Sequence, residues 1–111
     1  MAEELLDLNT FNELTDTVGA DFVIELVDTF LEEAPPILAE MRAALGAGDA
    51  DTFRRAAHSL KTNANTFGAK VLGERARELE QGGLLSAGDG VDALDALYAE
   101  SAAALKALCN G

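Results

Sequence analysis

The stretch FRRAAHSLKTNANTFGA, which begins at Phe53, holds the only histidine of the chain, His58. Arg54, Arg55 and Lys61 lie within four residues of it, in a chain with 8 basic residues against 20 acidic ones. Six of the 8 (Arg54, Arg55, Lys61, Lys70, Arg75 and Arg77) fall between positions 54 and 77. Neighbouring cations disfavour a protonated imidazole. The grouping therefore suits a neutral, nucleophilic ring that later carries an anion.

Other chemistry is thinly represented. There is no second histidine, no Cys/His cluster of zinc-ligand spacing and no glycine-rich phosphate loop. A metal centre inside a helical bundle needs inward Glu-x-x-His ligands. Glu32 and Glu33 of FLEEAPP, and Glu74 and Glu78 of ERARELEQ, are expected on solvated faces. No metal site is expected. Cys109 has no partner for an internal disulfide and is expected as a small apolar residue near the end of the last helix.

The direction of His58 depends on the element that carries it. Phe53, Ala57, Leu60, Ala64 and Phe67 recur at steps of four and three, the stripe of one buried helix face. At about 100° per residue, His58 lies about 200° from Leu60 and projects into water. Arg54, Arg55, Lys61 and Thr62 share its face, with Asn65 two turns on. Of these, Arg54, Arg55, Thr62 and Asn65 are the expected partner-contacting residues.

The remaining elements follow from punctuation and periodicity. TFNE, Thr10 to Glu13, fits a capping box opening a short first helix that stops at Gly19. Asp21 then caps a long helix with Val23, Leu26, Val27, Phe30, Ala34, Ile37, Met41 and Leu45 inward. Pro35 and Pro36 interrupt it, but the apolar phase survives them, which predicts a kinked continuous helix. The turn Gly46 to Asp49 supplies the next cap, Asp49 or Asp51. The third helix runs to about Phe67, with Gly68 in the left-handed position that ends it. A fourth spans about Ala69 to Gln81, with Leu72, Ala76 and Leu79 inward. After the connection GGLLSAGDG, Val91, Leu94, Tyr98, Ser101, Leu105 and Leu108 form the seam of a fifth. The predicted fold is all-α, an antiparallel four-helix bundle with a short additional N-terminal helix.

Composition is consistent with this and bounds the rest. With 111 residues the chain is read as one domain, 1–111, with one core. A net charge of −12 argues against nucleic acid or an anionic membrane as partner. No apolar run approaches the roughly 20 residues that span a bilayer, and MAEELLDLNT is no signal peptide. A cytoplasmic monomer is the expectation.

HSLKTNANTFGA, His58 to Ala69, resembles the signature of histidine-containing phosphotransfer (HPt) domains. That pattern is roughly His-x-Leu-Lys-Gly-Ser-Ser, followed a few residues later by an apolar residue and Gly-Ala. His58, Leu60, Lys61, Phe67, Gly68 and Ala69 match it, and the likeness extends from about Phe11 to Leu108. Thr62 replaces the usual glycine and narrows the approach to His58. Asn63 and Ala64 replace the two serines.

The resemblance implies a phosphorelay carrier and not an enzyme in its own right. His58 would accept a phosphoryl group from a receiver aspartyl phosphate and pass it to another receiver, with Lys61 near the phosphoryl oxygens. The partners implied are response-regulator receiver domains and a sensor, or hybrid, histidine kinase. No cofactor is expected on this domain, and Mg²⁺ would belong to the receiver. Two other readings stay open: the phosphoacceptor domain of a chemotaxis-type kinase, and a helical interaction module in which His58 does no chemistry. Ile24 and Leu31, beside the core stripe, are either docking residues or covered by the first helix.

The assigned phase has a direct test. Leu60→Ala should lower the unfolding free energy by about 2–5 kcal/mol in urea titrations, whereas an outward Leu60 would leave it unchanged.

Overall fold

The computed structural model describes residues 5–84 and 87–110. Within them lie α1 (Leu8–Val18), α2 (Ala20–Ala47), α3 (Ala50–Thr66), α4 (Lys70–Gly82) and α5 (Gly90–Asn110), and no strand. Helix α2 packs on α3, α3 on α4, α4 on α5 and α5 back on α2. That closed ring, with short connections, is an antiparallel four-helix bundle. Helix α1 lies across α2 and the end of α3. Of the connection GGLLSAGDG, Leu85 and Ser86 lie outside the described residues.

The core is a continuous apolar cluster contributed by all five helices. Phe53, Ala57, Leu60, Ala64 and Phe67 are all buried, so the phase assigned to α3 holds. On α2 the buried line is Val23, Val27, Phe30, Ala34, Leu38, Met41 and Ala44. The expected Leu26, Ile37 and Leu45 are only partly buried and flank that line. Helix α1 leaves Ile24 exposed, while Leu31 packs against the core. At the end of α5 the buried face advances by fours, from Ser101 to Leu105 to the half-buried Cys109. Leu108, expected in the seam, is exposed, because a strict three-four alternation drifts off the face of a straight helix. Burial, with Asp28 close by, pushes the Cys109 thiol up and keeps it protonated.

Two expected caps are corrected. Helix α1 begins earlier than the TFNE box: Asp7 is its cap, accepting from the backbone N–H of Asn9 and Thr10. Thr10 is inside the first turn, where its hydroxyl donates to Asp7 at 3.0 Å. Helix α2 has no side-chain cap at all. Gly19 (φ 94°) joins it directly to α1, and Asp21 sits in its first turn. Asp49, one of the two candidates, does cap α3 and accepts from Thr52 N–H at 3.1 Å.

Gly68 meets two demands together. Its φ of 78° favours glycine, and a Cβ there would lie 2.5 Å from the Asp7 carbonyl oxygen. The Asp7 N–H donates to the Gly68 carbonyl at 2.6 Å. The residue that ends α3 thus also anchors the start of α1.

Helix α2 passes through Pro35 and Pro36 without a break. A proline in a helix leaves the carbonyl four residues earlier without its N–H donor. For Pro35 that carbonyl belongs to Leu31, and the Tyr98 hydroxyl of α5 donates to it at 3.2 Å. Tyr98 also packs edge-on against Phe30, with ring centroids 6.1 Å apart. Below it, Arg42 bridges α2 to α5 through Asp92 (2.5 Å) and Asp95. Tyr98→Phe keeps the ring and removes only the donor. It should cost about 0.5–1.5 kcal/mol by chemical denaturation, and a neutral result would show that water satisfies Leu31 instead.

Candidate phosphotransfer site

Helix α3 presents His58 two residues from the fully buried Leu60, and the His58 side chain is 58% exposed. Its direction is the expected one. Its immediate partner was not foreseen. Glu80, on α4, places Oε2 2.8 Å from His58 Nδ1 and Oε1 2.9 Å from the Lys61 ammonium. One carboxylate therefore divides its two oxygens between two α3 residues one turn apart.

The neighbours of these residues explain how they meet. Leu79, beside Glu80, is buried against the core, as Leu60 is between His58 and Lys61. Gly73, one of the buried residues of α4, brings the two helices close: a Cβ there would overlap the amide of Asn65. Asn65 accordingly lies against α4, on the His58 face but two turns away.

The other residues of that face are dispersed. Arg54 pairs with Asp51 at 3.4 Å. Arg55 borders a shallow cleft with Glu40, Thr52 and Ser59. Thr62 is exposed, and its carbonyl accepts from the Thr66 hydroxyl at 3.0 Å. Of the other clustered cations, Arg75 pairs with Glu78. The cluster seen in the sequence is thus spread along two helices, and the charged group touching the ring is an anion.

Glu80 is only 18% exposed and Lys61 23%. The Lys61 ammonium, and then the His58 ring, hold the Glu80 carboxyl below the usual carboxylate range against the opposing effect of burial. An ionised Glu80 accepts hydrogen bonds and donates none. In the neutral ring the proton is accordingly on Nδ1, which leaves the Nε2 lone pair free. Nε2 makes no hydrogen bond with the described residues, and the side chain that carries it is more than half exposed. The geometry offers one uncommitted nucleophilic nitrogen in a fixed orientation.

The sequence profile described as Hpt domain matches residues 25–104. The chain belongs to the Hpt domain family. Members of that family are the phosphotransfer modules of phosphorelays. The structure of this Hpt domain is similar to that of histidine-containing phosphotransfer protein B from Pseudomonas aeruginosa PAO1. The TM-score is 0.87 at 28% identity, over 96% of this chain and 95% of the other. The histidine-containing phosphotransfer domain of ArcB from Escherichia coli shares the fold, with a TM-score of 0.80 at 18% identity over 98% and 96% of the two chains. In sequence the domain is also similar to the sensor protein TorS of Escherichia coli K12, 29% identical over 79 residues. That match takes in 71% of this chain and only 9% of TorS.

Glu80 could have been suspected from the sequence only through its place beside the inward Leu79. Nothing in its type distinguishes it from the neighbouring acids.

The depressed titration of Glu80 has a measurable consequence. A carboxyl whose folded pKa is lowered adds stability above its unfolded value and loses it as pH falls through the folded value. Between about pH 5 and about pH 3, the wild-type domain should lose more stability than Lys61→Met, in which the first cause of the shift is gone. Urea unfolding at several pH values measures this, and parallel profiles would show that the pair contributes nothing.

Proposed function

We propose that this Hpt domain is a relay intermediate in which Nε2 of His58 takes a phosphoryl group from a receiver aspartyl phosphate and yields it to a second receiver. The observation that supports this reading is the exposed His58 ring with Nδ1 committed to Glu80. That arrangement presents Nε2 outward in the tautomer that can attack phosphorus.

The chemistry asks little else of the domain. Phosphoryl transfer is helped chiefly by alignment and by stabilisation of spread negative charge. His58 stands on the rigid rod of α3, which the buried Phe53, Ala57, Leu60 and Ala64 hold in rotation. Lys61, one turn away on the same helix, is the cation that would offset charge on the phosphoryl oxygens; in the free domain its ammonium is bonded to Glu80. The receiver would supply the acidic pocket and its Mg²⁺. On this reading the domain has no catalytic activity of its own. Arg54, Arg55, Thr62 and Asn65, exposed along the same helix, would belong to the docking surface. Among the described residues no helix is long and apolar enough to cross a membrane. A cytoplasmic site of action, on the same side as the receivers, belongs to the same reading.

Incubation with a phosphorylated receiver, followed by assay for acid-labile phosphate, tests this. The wild type should become labelled. His58→Gln should fold to within about 1.5 kcal/mol of the wild type, the most that loss of the Glu80 contact would cost, and remain unlabelled. Lys61→Met should be labelled about 5- to 150-fold more slowly, the equivalent of about 1–3 kcal/mol of lost charge stabilisation. Labelling of His58→Gln would refute the assignment. Labelling of the wild type by ATP and a kinase with no receiver present would point to a direct kinase substrate instead.

A further inference from the structure

The contact between Glu80 and Nδ1 bears on the phosphorylated state as well as on the free ring. When Nε2 attacks, its lone pair forms the N–P bond while the P–O bond to the receiver breaks, and that electron pair stays on the carboxylate oxygen. No proton has moved. The ring has become an N-phosphoimidazolium that still carries its proton on Nδ1, with one positive charge. In water such a ring loses that proton readily. Here the proton points at a carboxylate 2.8 Å away.

We infer that Glu80 is the standing counter-ion of the phosphorylated ring, holding the Nδ1 proton in place through loading and unloading alike. This rests on the relay reading for its biological setting, though not for its chemistry. It makes the carrier reversible without acid or base catalysis. In the onward step the receiver aspartate attacks phosphorus, the N–P electron pair returns to Nε2, and the ring leaves neutral with its Nδ1 proton intact. Without the anion, the ring would shed that proton and would have to leave as an imidazolide, a far poorer leaving group. Glu80 is thus a positioning residue that governs how readily phosphohistidine gives up its cargo.

The surrounding charges allow this. Around His58 are Arg54, Arg55 and Lys61 on α3, Glu80 and, one turn earlier, Arg77 on α4, and Glu40 on α2 beyond Arg55. Arg54 is drawn to Asp51, and Arg55 shares its cleft with Glu40. Glu80 is the charged group in hydrogen-bond contact with the ring. Its carboxyl remains ionised because Lys61 and His58 hold it there. Lys61, bonded to the other oxygen, also stops the carboxylate from rotating away. A charge-assisted hydrogen bond of this length is about twice as strong as a neutral one.

The test uses the intact domain loaded with phosphoramidate, a small-molecule phosphoryl donor that needs no receiver. Glu80→Gln retains an acceptor for the Nδ1 proton and removes only the charge. Loss of phosphate is then followed from about pH 5 to about pH 9, beside the ¹⁵N signal of Nδ1, with a melting curve to confirm the fold. The fast, acid-labile limb of the wild type should extend at least about one pH unit higher than that of Glu80→Gln. Near pH 8 the variant phosphoprotein should survive about tenfold longer, since one unit is tenfold in the protonated fraction. The protonated Nδ1 signal should persist over the same wider range. Coincident rate profiles and coincident ¹⁵N transitions would overturn the inference, as would failure of phosphoramidate to modify His58. Failure of a receiver to label the wild type would instead overturn the relay reading and leave this measurement standing.

Discussion

The rotation of α3 about its own axis is the constraint on which the site depends, and the core sets it. Phe53, Ala57, Leu60, Ala64 and Phe67 are all buried along one stripe. Burying each large side chain is worth about 1.5–3 kcal/mol, whereas the His58–Glu80 contact on the rim contributes about 0.5–1.5 kcal/mol. The apolar stripe therefore decides which way the helix faces, and the polar pair accepts the result. Helix α4 obeys the same logic through Leu72, Ala76 and Leu79, which bring Glu80 round to the α3 side. Gly73 removes the Cβ that would hold the two helices apart at Asn65.

The ends of the bundle show how local chemistry supports that packing. Gly68 ends α3 and receives α1 in one residue, because both demands exclude a side chain. Pro35 of α2 would leave the Leu31 carbonyl without a donor in the middle of the longest helix. Tyr98 repairs it from another helix while its ring packs on Phe30. A defect in one element thus becomes a contact between two.

Electrostatically, the site is a small exception in an acidic molecule. The chain carries −12 overall, yet near His58 the carboxylates of Asp51 and Glu80 are paired with Arg54 and Lys61. An anion beside a nucleophile that must meet a phosphoryl dianion looks unfavourable at first. Glu80 is, however, shared with Lys61 and placed on the Nδ1 edge of the ring, away from Nε2. It can therefore offset the positive charge that the ring acquires without standing in the path of the incoming group.

Periodicity alone determined the all-helical fold, the number of helices, the inward Leu60 and the outward His58, because burial of a stripe is a local property of a helix. The terminating role of Gly68 was equally local and legible, and the cap of α3 was narrowed to Asp49 or Asp51, of which the structure selects Asp49. The cap of α1 was misplaced since several acceptors lie near its start, and packing on Gly68 favours Asp7; α2 needed none, because Gly19 joins it directly to α1. Leu108 and the flanks of α2 depended on small drifts of helical phase that only neighbouring helices resolve. Glu80 lay beyond sequence reasoning altogether. It stands 22 residues from His58 on a different helix, among acids of identical type. Only the approach of α4 to α3 at Gly73, a tertiary event, selects that one carboxylate to face the ring.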